Sequence, residues 1–297
     1  MMRVLITGAS GYFAWELVRQ LKQSNEHIIV GSSSNPNKLI NDPNYSGIKL
    51  IHNNEIDVEL DSIELIIHTA FCRKSDGTDL IKSLCFSRDV FKKAAGKGIS
   101  IINLSSQSVY GSVKEKLPKE DAICSPEYLY AFAKASSELL LDELAYGKSK
   151  YTNVRLASLM GPSRTVPVNV LYKFVANALK GIDIKIQGGK QNFSFIDVRD
   201  AVEATIRLIK VEKWDSIYNL GPKAQTNIVE LASIANNCAL ELVQKKVNVI
   251  INDTDESVNT GMNSDRIYKA INWEPSHKIE DIVKDTANYI YEILNQT

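Results

Sequence analysis

The sequence predicts an α/β protein: a doubly wound parallel sheet with a smaller C-terminal α/β lobe. Three observations carry this. Short apolar runs of strand length alternate with longer amphipathic runs through the first half. A glycine turn stands between the first strand and the first helix. The second half has more helical periodicity and fewer buried strands. At 297 residues and 44% hydrophobic content, the chain suits one large α/β unit or two fused lobes with a sizeable core.

The elements follow in order. Arg3–Thr7 reads as a buried strand, and Tyr12–Gln23 as a helix with Phe13, Leu17, Val18 and Leu21 on one face. His27–Gly31, Ile48–His52 and Leu65–Ala70 read as further strands, and Ser32–Ser46, rich in Ser, Asn and Pro, as an exposed loop. Asp79–Lys97 is a helix closed by Gly98. Strand Ile99–Ser105, helix Tyr128–Tyr146 and strand Asn153–Ser158 complete a parallel sheet covered on both faces. Beyond it, the periodicity predicts helices over Val168–Lys180, Val198–Lys210, Thr226–Leu240, Met262–Ile271 and Ile279–Leu294, with short strands at Ile182–Gln187 and Ile217–Gly221, and Phe193–Ile196 leading into the second of these helices. The expected division is a nucleotide lobe over 1–160, with segments near 190–225 returning to it, and a substrate lobe over 161–297.

Composition narrows the function classes. Lys plus Arg and Asp plus Glu are 35 each, so no global field draws nucleic acid or an anionic membrane, and neither is an expected partner. The four cysteines lack CxxC spacing and read as free thiols in a reducing compartment. The four histidines lack metal-ligand spacing, so no metal is expected. The N-terminal apolar run is shorter than a signal-peptide core, and no run approaches the ~18 residues of a membrane helix. Cytoplasm is the expected location.

Thr7-Gly8-Ala9-Ser10-Gly11-Tyr12-Phe13-Ala14 forms a GxxGxxA turn. Gly8 permits the tight turn, Gly11 lets backbone approach a pyrophosphate, and Ala14 lets helix and strand pack closely. The N-terminus of the following helix offers unpaired N–H groups and partial positive charge to an anion. A dinucleotide is therefore expected against Gly8, Ser10, Gly11, Tyr12 and Phe13. NAD binders place a carboxylate at the end of the second strand to bond the ribose hydroxyls. Here Ser32, Ser33 and Ser34 follow Gly31 instead. Serines can bond a 2′-phosphate and nothing there repels it, so NAD or NADP is expected, with a slight lean to NADP.

Tyr130 and Lys134 make a YxxxK pattern on one helix face. A free tyrosine titrates near ~10, so acid/base work near neutral pH needs that value lowered by ~3, or about 4 kcal/mol. A neighbouring ammonium and an oxidised nicotinamide both favour the phenolate. Such pairs also occur on ordinary amphipathic helices, but two features single this one out. Ser105-Ser106-Gln107-Ser108 lies at the end of a buried strand, where open α/β sheets place ligands. Glu138 continues the same helix face.

Together these motifs resemble the extended short-chain dehydrogenase/reductase superfamily, in its NAD-dependent epimerase/dehydratase branch. Gly8–Ala14 resembles the cofactor motif, His68-Thr69-Ala70 the strand under the nicotinamide, Ser105–Gly111 the SSxxVYG segment, and Pro126 with Tyr130 and Lys134 the PxxxYxxxK segment. Arg155-Leu156 through Gly161-Pro162, Phe195–Asp200, Tyr218–Gly221 and Trp273-Glu274-Pro275 resemble later markers. The resemblance implies a Rossmann-type lobe holding NAD or NADP, with Thr69 and Ala70 among its contacts. It implies Tyr130 as acid/base, Lys134 on the nicotinamide ribose, and Ser106 holding the substrate oxygen. The implied substrate is a sugar, often nucleotide-activated, touching Ser106, Gln107, Ser158 and Phe193. A homodimer through the helices Asp79–Lys97 and Tyr128–Tyr146 is also implied.

Two departures bear on substrate: Ser158 stands where Asn is common, and Phe193 where an Arg often meets the diphosphate. Arg164 or Lys190 could substitute, and each reads equally as a solvated surface charge. Gln107-Ser108 stand where sugar 4,6-dehydratases carry Asp-Glu, which disfavours dehydration. The expected activity is an NAD(P)-dependent epimerase or ketoreductase at a sugar carbon. The alternatives are a reductase of a non-sugar carbonyl and a non-catalytic dinucleotide sensor or scaffold.

Overall fold

The computed structural model describes residues 1–72, 77–113, 117–163, 169–252, 254 and 258–295. Seven parallel strands form the central sheet: β1 (Met2–Thr7), β2 (His27–Ser33), β3 (Lys49–His52), β4 (Leu65–His68), β5 (Ser100–Ser106), β6 (Tyr151–Leu156) and β11 (Ile217–Leu220). Their order is β11-β6-β5-β4-β1-β2-β3. The chain winds outward from β1 to one edge and from β4 to the other, so the topological switch lies between β1 and β4. The Rossmann-type fold read from the sequence is the one observed.

Helices cover both faces because these strands are apolar on both. On one side α1 (Tyr12–Ser24) and α6 (Val198–Ile209) bury Leu17, Leu21, Val202 and Leu208 against the sheet. On the other, α3 (Gly77–Gly96) and α4 (Leu129–Ala145) bury Val90, Phe91, Ala94 and Leu141. A separate core forms where α5 (Val170–Leu179), α7 (Ile228–Val243) and α9 (Ile279–Asn295) meet. Leu171, Val175, Leu231, Ala235, Ile282 and Val283 fill it. Short pairs flank this core, among them β7 (Ser158–Met160) with β10 (Phe195–Asp197) and β8 (Ile184–Gln187) with β13 (Val249–Asn252). No described helix is long and apolar enough to cross a membrane.

The stretch read as an exposed loop after Gly31 differs. β2 runs on to Ser33, burying Ser32 and Ser33 and leaving Ser34 exposed. Two 3-10 turns follow, each with a proline at its start, Pro36 and Pro43. They fold Leu39 and Tyr45 into the core beside α1, where the Tyr45 hydroxyl donates to the Ala9 carbonyl. Two apolar side chains too widely spaced to show a period draw the polar segment inward.

Candidate active site

The glycine turn sits at the switch point. Gly8 has φ +67°, and a Cβ there would lie 2.7 Å from Ala70 Cα, so glycine is required both for the turn and for the approach of the segment after β4. Thr69 Oγ1 donates to the Thr7 carbonyl at 2.7 Å, tying the two strand ends together. No side chain caps α1, and its first turn has no carboxylate. The leading N–H groups therefore keep the positive end of the helix available to an anion. Ser10 and Gly11 are exposed beside them. The other expected contacts are engaged through their side chains: Tyr12 Oη donates to the Gly161 carbonyl at 2.6 Å, and the Phe13 ring is core. Burial raises the Tyr12 pKa well above its ordinary value and keeps it a neutral donor.

At the end of β2, Ser33 Oγ accepts from Asn35 N at 3.2 Å, while the buried Ser32 Oγ has no partner among the described residues. An uncapped helix, a glycine held against its neighbouring strand end and a polar atom left over at the end of β2 fit a dinucleotide lying across the switch point.

His68 closes β4. Nδ1 pairs with Thr7 Oγ1 and Nε2 with Ser87 Oγ, both at 2.9 Å. Burial first, and the Lys134 charge second, push its pKa down to about 3, so it is neutral near pH 7.

The YxxxK pair lies at the carboxyl end of the sheet. Tyr128 is the extended residue preceding α4, so Tyr130 stands in the first turn and Lys134 in the second. Lys134 is 4% exposed. Its Nζ donates to the Leu104 carbonyl at 2.7 Å, 4.1 Å from the Phe71 ring centroid and 6.0 Å from that of Tyr130. Phe71 meets the Tyr130 ring edge-on at 6.1 Å, and Tyr128 stacks on it at 6.4 Å.

Ser106 ends β5, and its Oγ accepts from Ser108 N at 3.2 Å across a 3-10 turn. One cavity of about 270 Å³ brings together Ser106, Gln107, Tyr130 and Ser158. Gln107 Nε2 donates to Ser158 Oγ at 3.2 Å. Phe193 is not among the residues lining this cavity. It sits in β9 (Asn192–Phe193), packed on the α5–α7–α9 core. Arg164 lies outside the described residues.

The cavity also holds residues the sequence reading passed over: Glu127, Tyr128, Val258 and Thr260. Glu127 and Tyr128 directly precede the YxxxK helix, so the strand-end rule could have included them. Val258 and Thr260 carry no local signal, because only tertiary folding brings them here. Phe71 immediately follows the Thr69-Ala70 pair and could have been found with it.

Comparison with known proteins places these features in a family. Residues 4–221 match the model of the NAD dependent epimerase/dehydratase family. UDP-glucuronic acid decarboxylase 6 of Arabidopsis thaliana is 24% identical over 94% of this chain and 86% of its own. The human dTDP-D-glucose 4,6-dehydratase is 23% identical over 98% of this chain and 90% of its own. With a 4,6-dehydratase among the relatives, the comparisons give no support to setting dehydration aside. Among solved structures, a UDP-glucuronic acid 4-epimerase of Bacillus cereus, in complex with UDP-glucuronic acid and NAD, superposes with a TM-score of 0.83. It is 20% identical, over 98% of this chain and 100% of that one. With the fold, the glycine turn and the matched span in agreement, this chain belongs to the NAD dependent epimerase/dehydratase family.

Proposed function

We propose that the chain is an NAD(P)-dependent epimerase or ketoreductase acting at a sugar carbon, with a nucleotide-activated sugar as substrate. The observation that carries this is the convergence of Ser106 and Tyr130 on one cavity, with Lys134 one turn below Tyr130. A bound nicotinamide dinucleotide would supply the hydride acceptor and donor. The Tyr130 phenol exchanges a proton with the sugar hydroxyl. The Ser106 hydroxyl holds that oxygen in place. The Lys134 ammonium, buried against Phe71, favours the phenolate and would hold the nicotinamide ribose of a bound dinucleotide.

Gly8, Ser10, Gly11, Tyr12 and Phe13 would hold the dinucleotide through backbone, with Thr69 and Ala70 beneath it. Ser32 to Ser34 would face its adenosine ribose. With no carboxylate at those three serines, we keep NADP beside the NAD bound by the Bacillus cereus neighbour. Ser158 would touch the sugar beside Gln107. The lobe division at residue 160 and a homodimer belong to the same proposal. Exposed Ile81 on α3 and exposed Phe132 and Leu139 on α4 support a second copy seated there.

The test is to denature purified protein, identify any released dinucleotide by mass spectrometry, then titrate with NADH and NADPH. Retained NAD would favour an epimerase that recycles its cofactor and would remove the NADP lean. An empty protein that prefers NADPH would favour a reductase. Binding of neither would overturn the proposal.

A further inference from the structure

The cavity's charge is one-sided. Among the described residues lining it, the single charged side chain is Glu127; the other polar ones are neutral, chiefly hydroxyls such as Ser106, Ser112, Tyr128, Ser158 and Thr260. Glu127 is held in place although it is exposed: Oε1 accepts from Ser112 N at 3.0 Å. The backbone makes room for it. Gly111 has φ +71°, and a Cβ there would run into the Ser125 carbonyl and lie 3.0 Å from Glu127 Oε1. A carboxylate docked on a backbone N–H, over a glycine that no other residue could replace, is a fixed feature of the cavity wall.

We propose that Glu127 is a specificity-determining residue that rejects uronic acids, so that the substrate's reacting sugar carries no carboxylate. This rests on the sugar-nucleotide reading above and narrows it. The contrast with the relatives is direct. The Arabidopsis decarboxylase and the Bacillus epimerase are named for UDP-glucuronic acid, a sugar with an anionic group on its ring. A second anion beside Glu127, with no cation among the described lining residues to offset it, is repelled. In a partly solvated cavity the repulsion between two such charges changes affinity on the order of tenfold. Hydroxyls of a neutral hexose, or an amine on the ring, instead donate to the carboxylate and to the serine and threonine oxygens.

UDP-glucose and UDP-glucuronic acid differ at one carbon, a hydroxymethyl group against a carboxylate, and are the probes. Both are titrated calorimetrically into NAD-loaded wild type and NAD-loaded Glu127→Gln. Wild type should bind UDP-glucose at least tenfold more tightly, and the ratio of the two affinities should fall about tenfold in Glu127→Gln. Equal or tighter binding of the uronate by wild type would overturn the proposal. So would an affinity ratio that Glu127→Gln leaves unchanged, since the discrimination would then lie elsewhere. If wild type binds neither probe, the sugar-nucleotide reading itself fails and takes this inference with it, a result separate from the other two.

Discussion

Glu138 and Arg155 form a buried ion pair at 2.7 Å, with the two side chains 7% and 4% exposed. The pair joins both flanks of Ser106 to the helix of Tyr130. Ser105 Oγ donates to Glu138, while Arg155 Nη1 donates to Tyr110 Oη at 2.7 Å. Burial alone would lower the Arg155 pKa, but hydrogen bonds and charge from Glu138 raise it above its ordinary value. Removing one member strands a buried charge, which costs roughly 3–5 kcal/mol. Glu138→Ala should therefore destabilise the protein by about that much in chemical denaturation. A loss under about 1 kcal/mol would mean that Arg155 finds another partner.

Tyr130→Phe removes one oxygen and leaves the ring between Phe71 and Tyr128. Positioned acid/base groups contribute roughly 10²–10⁴-fold. Turnover should fall by that factor or more, while dinucleotide affinity, measured by fluorescence titration, stays within about twofold. Unimpaired turnover would remove Tyr130 from the mechanism.

Much of the sheet was legible because fully buried parallel strands must be apolar throughout, as Val4, Leu5 and Ile6 are. The glycine turn was legible because Gly8 meets a backbone demand that only glycine satisfies. Side-chain direction was not. Phe13 and Tyr12 occupy motif positions, yet one ring enters the core and the other hydroxyl reaches Gly161. Phe193 occupies the place of a substrate contact and instead packs on the α5–α7–α9 core. Thr260 reaches the cavity from 130 residues beyond Tyr130, a distance no local period can bridge.

Gly8→Ala should damage stability and binding together. The left-handed φ costs a side chain roughly 1–2 kcal/mol, before the collision with Ala70. Relief requires the turn and the end of β4 to separate, which moves the backbone expected to meet the pyrophosphate. A drop in unfolding free energy of at least about 1 kcal/mol, with dinucleotide affinity down tenfold or more, is expected. Full retention of affinity would show that the turn does not hold the cofactor.

His68 predicts how stability responds to acid. Its pKa falls from an ordinary 6.5 when unfolded to about 3 when folded. Below pH 6.5 the unfolded chain takes up a proton that the folded chain refuses, so stability is full above 6.5 and declines as pH falls toward 3. At pH 5 the loss is about 2 kcal/mol relative to pH 7.5. Urea denaturation at both values isolates this group when wild type is compared with His68→Gln. The substitution lowers stability at pH 7.5, because Thr7 and Ser87 lose an imidazole partner, but its pH dependence should be shallower by about 2 kcal/mol. Parallel slopes in the two proteins would mean that the imidazole takes a proton in the folded state, which the enclosure between Phe86 and Phe91 opposes.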